Sequence, residues 1–285
     1  MIKEKNILSL FDGMSCGQIA LNRSGIKYDN YYASEIDKYA IKITQKNYPN
    51  TIQLGDITRL SGIDLPEIYL MMGGSPCQGF SIAGKKLNFE DPRSKLFFEY
   101  VRLLKEVNPK YFLLENVKMK KEYEDVITEI LGVEPIMIDS RIVSAQKRRR
   151  LYWTNIPGVT QPENKNITLK DILLDRNDDL FELNIPSEKR IEYIKRRLSK
   201  GWVNKIFNTI DTEKAECITA RCHKEMKEFV YQDEHGLRFF SNIEMERLQT
   251  VPDNYTEGVS NTQRLRMLGN GWTVDVIAHI LKFMV

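Results

Sequence analysis

The stretch Gly73-Gly74-Ser75-Pro76-Cys77-Gln78-Gly79 sets one thiol among turn-forming residues, directly after the apolar run Ile68–Met72. A structural cysteine is usually buried among apolar neighbours, whereas a thiol on a loop at the end of a strand suits a nucleophile. A free thiol ionises near about pH 8.5, so some thiolate exists at neutral pH and nearby cations raise its share. Further on, Glu115-Asn116-Val117 closes a second apolar run, Tyr111–Glu115. Burial at a strand end disfavours the charged carboxylate, which suits general-acid work; a capping or ion-paired glutamate would have the same sequence. Gln146-Lys147-Arg148-Arg149-Arg150 then puts Gln146, Arg148 and Arg150 on one face of an entering strand. Arginines on that face are costly unless paired, so they are expected to orient Glu115 or an anionic ligand.

A second constellation points to a nucleoside. Phe11-Asp12-Gly13 and Gly17 lie on the first strand–turn–helix, where glycines let a ligand approach the main chain. Glu35 (or Asp37), at the end of the second strand, can hold ribose hydroxyls. Asp56, in Leu54-Gly55-Asp56-Ile57, can accept from an adenine amino group. The turn lacks the G-x-G-x-x-G of dinucleotide enzymes, which excludes a nicotinamide dehydrogenase. A nucleoside cofactor without a pyrophosphate suggests S-adenosylmethionine, although three ordinary turn acids of an α/β fold would read alike.

The elements that must position these residues follow from the apolar pattern. Asn6–Phe11, Tyr31–Ser34, Ile68–Met72, Tyr111–Glu115, Pro135–Asp139 and Leu151–Asn155 read as strands. Helices are expected after Gly17, over Lys38–Tyr48 before Pro49, and over Arg93–Val107. Strands alternating with helices at this spacing predict an α/β fold, a mostly parallel sheet with helices on both faces. After Ile156-Pro157-Gly158 the alternation breaks, and it returns near Phe239 with helices over Asn242–Leu248, Gln263–Leu268 and Thr273–Met284. The expected division is therefore residues 1–156 with 239–285, against a smaller irregular region at 157–238.

Composition sets the outer bounds. The 285 residues, 42% hydrophobic and 28% charged, describe a globular protein with a sizeable core, not a disordered one. No apolar run of about eighteen residues exists, so no membrane span is expected, and the first residues do not read as a signal peptide. An intracellular, cytoplasmic protein follows. The four cysteines form no disulfide framework. Cys217, Cys222 and His223 lie close together, but zinc normally needs four ligands and the chain has three histidines, so no metal is expected. A net charge of +3 does not by itself name a partner. The basic run from Lys189 to Lys200 reads by composition alone as a solvated helix face.

The motifs stand in an order that resembles the cytosine-C5 DNA methyltransferases, of bacterial and phage type. The likeness rests on Phe11-Asp12-Gly13-Met14-Ser15-Cys16-Gly17, Gly74-Ser75-Pro76-Cys77-Gln78, Glu115-Asn116-Val117, Gln146-Lys147-Arg148-Arg149-Arg150 and Gly269-Asn270-Gly271. The stretch from Phe80 to Lys85, continuing to Phe98, is similar to that family's mobile active-site loop. The likeness covers residues 7–156 and 238–281.

That resemblance implies a Rossmann-like methyltransferase sheet with a small target-recognition domain at 157–238. It implies Cys77 as the nucleophile toward cytosine C6, Glu115 at N3 and the exocyclic amine, Arg150 at O2, and Arg148 supporting the same cluster. For S-adenosylmethionine, with S-adenosylhomocysteine as product, it implies Phe11 on the adenine and the turn Asp12, Gly13, Met14, Ser15 and Cys16 along the methionine end. Glu35 would bind the ribose, and Ile36, Asp56 and Ile57 would line the adenine pocket. Pro76, Leu96, Asn270 and Trp272 would complete the cofactor site. Ser81, Lys85 and Arg93 would meet phosphates, and Thr219 would lie near the target strand. The implied partner is double-stranded DNA, with a cognate restriction endonuclease as an allowed second one, for a monomer in the bacterial cytoplasm or nucleoid.

Some positions depart from the pattern. Ser15-Cys16 stands where many bacterial members have glycines, and Gly271-Trp272 where Ser-Val is usual. Both resemble the vertebrate de novo DNA methyltransferases. The run Leu248-Gln249-Thr250-Val251-Pro252 lacks the glycine common before this proline. The tRNA-methylating branch carries Cys-Phe-Thr where this chain has Cys217-Ile218-Thr219, which counts against that branch. A non-catalytic family member would lack the nucleophile or the glutamate, and both are present.

Overall fold

The computed structural model describes residues 4–76, 92–175, 177, 187–199, 208, 209, 211–225 and 229–284, with side chains from residue 95 onward in the helix that opens at 92. Seven strands form one sheet: β1 (Asn6–Leu10), β2 (Asn30–Ser34), β3 (Ile52–Gln53), β4 (Ile68–Gly74), β5 (Tyr111–Val117), β6 (Ile136–Asp139) and β7 (Arg149–Thr154). Their order is β3-β2-β1-β4-β5-β7-β6. Only β7 runs antiparallel, to both β5 and β6. The chain therefore leaves β1 in one direction and returns at β4 to build in the other. In such a sheet ligands sit beyond the carboxyl ends of the strands where the order reverses.

Local chemistry sets the connections. Helix α1 (Cys16–Ser24) ends at Gly25, whose φ of 73° only glycine adopts without strain. Helix α2 (Lys38–Asn47) opens where the Asp37 side chain accepts from Tyr39 N at 2.9 Å and closes before Pro49. Helices α3 (Pro92–Val107) and α4 (Lys121–Leu131) precede β5 and β6. The core packs Leu8 and Leu10 of β1, Met71 of β4 and Leu114 of β5 with Phe97 and Tyr100 of α3 and Trp153 of β7.

The chain divides into two compact units: Met1–Asp139 with Arg149–Gln161 and Val276–Val285, and Ser140–Arg148 with Pro162–Asp275. These borders differ from those expected at 156/157 and 238/239. The second unit holds α5 (Glu188–Leu198), α6 (Cys222–Glu225), the hairpin β8 (Val230–Asp233) with β9 (Gly236–Phe239), α7 (Asn242–Leu248) and α8 (Asn261–Asn270). Buried ion pairs brace it. Arg238 bonds both oxygens of Glu244, at 2.8 and 2.7 Å, and Glu244 also accepts from Ser241 N and Leu174 N. Glu246 likewise meets Arg264 at 3.0 Å. The last helix, α9 (Val274–Leu281), carries fully buried Val276, Ile277, Ile280 and Leu281.

Candidate active site

In the first unit, the carboxyl ends of β1 and β4 lie side by side because Gly73 has no side chain. A Cβ there would stand 2.9 Å from Leu10 O and 3.2 Å from the Tyr100 ring. The strand then runs through Ser75 and Pro76 toward Cys77, which lies outside the described residues, as do Ser81 and Lys85; so does the Arg93 side chain. Asn116 secures this exit, its side-chain amide donating to Ser75 Oγ at 3.2 Å.

Glu115 pairs in register with Gly74 on one side and with Tyr152 on the other. Glu115 is 8% exposed, and its carboxylate meets Arg150 Nε at 2.9 Å. The guanidinium offsets the desolvation of the carboxylate, and each holds the other in one orientation. A second Arg150 nitrogen donates to the Arg149 carbonyl at 2.8 Å. The expected pairing of an arginine with Glu115 thus falls on Arg150.

Arg148 has different partners. It is 3% exposed within the second unit. Nη1 donates to Ile218 O at 2.7 Å and Nη2 to Gly271 O at 2.8 Å. The expected alternation of residues 146, 148 and 150 stops short because β7 begins only at Arg149. Gln146 and Arg148 precede it, in a segment bridged to Ala215. The hydrogen bonds of Arg148 tie it to main-chain carbonyls of the second unit.

The turn after β1 holds positive φ angles at Phe11 (57°), Gly13 (59°) and Ser15 (61°). Asp12, Met14, Ser15 and Cys16 are buried, so they offer a ligand main chain more than side chain. Asp12 accepts from the Ser15 hydroxyl and, at 2.7 Å, from the Tyr31 hydroxyl. Burial pushes its carboxyl up to about 6, against the pull of these hydroxyls. Tyr31 has no local sequence signal for this role, since its partner lies on another strand.

Glu35 fastens that turn to the end of β2. One carboxylate oxygen accepts from Gly13 N at 2.8 Å, and the other from Ile36 N and Asp37 N at 2.7 and 2.8 Å. Ile36 is 74% exposed, and nothing lies within 4 Å of where a Gly13 side chain would begin. Asp56 caps a short turn by accepting from Thr58 N and Oγ1, and these bonds hold its carboxyl below the usual range. Ile57 is buried, with Phe11 and Leu96 packed against the same core. An open glycine face, two fixed carboxylates, an aromatic ring and an exposed aliphatic fit a nucleoside carrying no phosphate. The residues present therefore suit S-adenosylmethionine. In the second unit Asn270 and Thr219 are exposed and Trp272 is buried. Among the described residues no group of three or more His, Cys, Asp or Glu could hold a metal, and no helix is long and apolar enough to cross a membrane.

A family model described as C-5 cytosine-specific DNA methylase matches residues 5–285. The chain belongs to this family. The enzyme is thereby a DNA cytosine-5-methyltransferase, and S-adenosylmethionine is the methyl donor the family implies. It is 30% identical to the type II methyltransferase M1.ScrFI of Lactococcus lactis subsp. cremoris, over 98% of this chain and 77% of that one. It is also 30% identical to the type II methyltransferase M.NlaX of Neisseria lactamica, over 98% of this chain and 95% of that one. The solved structure of the S. pombe Dnmt2 methyltransferase superposes with a TM-score of 0.76, covering 98% of this enzyme and 97% of that chain. At 21% identity that likeness speaks for the fold.

Proposed function

We propose that the enzyme methylates C5 of a cytosine flipped out of a specific double-stranded DNA sequence, through a covalent bond from Cys77 to C6. The observation that carries this reading is the Arg150–Glu115 pair, 2.9 Å apart and in register with Gly74, three residues before Cys77.

Cytosine C5 is a weak nucleophile until the ring loses its aromaticity. The Cys77 thiolate bonds to C6, and the displaced electron pair develops at C5 as an enamine. Glu115 hydrogen-bonds N3 and the exocyclic amine, sharing the proton that makes C6 electrophilic. Arg150 keeps Glu115 oriented and holds O2. S-adenosylmethionine supplies an electrophilic methyl group when bound. Glu35 meets its ribose, Asp56, Ile36 and Ile57 the adenine, and Phe11 the adenine face. Asp12, Gly13, Met14, Ser15 and Cys16 lie along the methionine end, with Pro76, Leu96, Asn270 and Trp272 assigned to the same ligand. Loss of the C5 proton to a base returns the electron pair, and the C6–sulfur bond breaks. A base stacked in a duplex is out of reach of such a site, so it must leave the stack, at a cost of a few kcal/mol. Ser81, Lys85 and Arg93 contact phosphates, and Thr219 the target-strand backbone.

The enzyme works as a monomer in the bacterial cytoplasm, on its own or beside a restriction endonuclease of the same specificity. Purified enzyme with labelled S-adenosylmethionine should label duplex DNA and form a covalent adduct with a duplex containing 5-fluorocytosine. Cys77→Ser should abolish both signals, and an unchanged rate would sink the mechanism. Transfer to tRNA and not to DNA would move the substrate to RNA.

A further inference from the structure

We propose that Arg148 is a positioning residue that couples the DNA-facing loop at Thr219 to the cofactor-facing turn at Asn270 and Trp272. The inference rests on the proposed assignment of those residues to DNA and to S-adenosylmethionine.

The coupling element is a closed ring of buried and part-buried hydrogen bonds inside the second unit. Ile218, just before Thr219, has both main-chain groups engaged. Its carbonyl accepts from Arg148 at 2.7 Å, and its N–H donates to Gln146 Oε1 at 3.3 Å. Gly271, just before Trp272, accepts on its carbonyl from Arg148 at 2.8 Å and from Gln249 Nε2 at 3.2 Å. Gln146 Nε2 donates to Gln249 Oε1 at 2.7 Å and closes the ring. One arm from Ile218 to Gly271 is thus the Arg148 guanidinium, and the other is the Gln146–Gln249 pair. Gln146 and Gln249 are fully buried. A buried polar group left unpaired is costly, so the ring favours one arrangement and both arms break together.

The two segments also touch without any side chain between them. A Cβ on Gly269 would lie 2.2 Å from the Thr219 carbonyl carbon and 2.4 Å from Ala220 N. Glycine is needed there because main chain packs on main chain. Arg148 reaches this contact too, with Nη2 at 3.4 Å from Gly269 O and Nη1 at 3.4 Å from Cys217 Sγ. Loop and turn therefore behave as one piece. The ring opens and closes as a unit, so a ligand that holds either segment closed keeps the other closed, and the second ligand then binds without the cost of closing it. Thermodynamic linkage makes the effect reciprocal: DNA and cofactor tighten each other by the same factor.

The test titrates S-adenosylhomocysteine calorimetrically with and without a duplex carrying the site the enzyme methylates, mapped first by bisulfite sequencing. Wild type should bind it tighter with DNA by a factor in the range of about 5 to 150. Arg148→Lys has a point charge that cannot bridge Ile218 and Gly271 at once. Its factor should fall several-fold toward one. An equal factor in wild type and variant overturns the proposal. Wild type that binds both ligands without coupling overturns it alone, whereas wild type that binds neither overturns the underlying assignment as well. A measurement on wild type avoids any folding defect of the variant. S-adenosylhomocysteine alone should slow amide hydrogen exchange at Ile218, Thr219 and Ala220 several-fold, and unchanged exchange there overturns the coupling.

Discussion

Asp12 places a carboxyl group in the interior of the first unit, beside Ser15, Tyr31 and Ser9. Burial raises it to about 6, while an aspartate in the unfolded chain titrates near about 4. Between those values the folded enzyme holds a proton that the unfolded chain has lost. Stability from this group is therefore full below about pH 4 and falls as pH rises toward 6, by on the order of 2–3 kcal/mol. Asp12→Asn removes the titration. Urea unfolding from pH 4 to pH 7 should show the stability of wild type relative to this variant shrinking by that amount. A difference that stays flat would mean that Asp12 ionises like an exposed aspartate. At this scale the sequence was readable where a polar residue interrupts or closes an apolar run, as Glu115 closes Tyr111–Glu115. It was not readable where partners come from distant segments. Nothing near Tyr31 announces a bond to Asp12, and nothing near Arg148 announces the carbonyls of Ile218 and Gly271.

Among the elements, β1 and β4 fix the site through the approach that Gly73 permits. Gly73→Ala would press a methyl group against Leu10 O at 2.9 Å, a main-chain atom that cannot rotate away. The strands must part by some tenths of an ångström, at a cost of about 1–3 kcal/mol. The shift falls directly before Ser75 and Pro76, so it also displaces the turn toward Cys77. Misplacement of a reacting group by about 1 Å can cost about 100-fold in rate, and a smaller shift should cost ten- to a hundredfold in kcat. Gly132→Ala is the contrasting variant. Gly132 caps α4 with a φ of 68° and has open space around it, so alanine there strains the backbone by about 1–2 kcal/mol and moves nothing at the site. Thermal melts of both variants should drop by a few degrees, and only Gly73→Ala should lose methyl transfer. Equal kcat in the two would remove Gly73 from the account of the site. The strands β1, β4 and β5 were legible because each is a nearly unbroken apolar run, the mark of a strand covered on both faces. Helix α4 was not, since Lys120, Lys121, Glu122, Glu124 and Asp125 crowd its first turns and leave Tyr123 and Ile127 to mark its buried side. At two residues, β3 is too short to show any period.

For the molecule as a whole, the chain crosses between its two compact units four times, and neither unit is a continuous segment. The sequence divides by regularity, which led to borders near residues 157 and 238. Contacts divide it otherwise, because α7 and α8 are regular helices whose chain neighbourhood nonetheless belongs to the second unit. Hydrophobic periodicity reports that a helix has a buried face but not which unit covers it. The return to the first unit comes only at Val276, and this has a consequence for truncation. A chain ending at Asp275 loses Val276, Ile277, Ile280 and Leu281, all fully buried. At about 1.5–3 kcal/mol for each buried side chain, the loss is roughly 6–12 kcal/mol, as large as the net stability of most domains. The truncated protein should show no cooperative thermal transition by circular dichroism and no binding of S-adenosylhomocysteine. Removal of Met284 and Val285 alone should leave the melting temperature within about a few degrees of the full chain. If the chain ending at Asp275 melts cooperatively near the full-length temperature, these ten residues do not complete the first unit, and its core closes within residues 4–139 and 149–161.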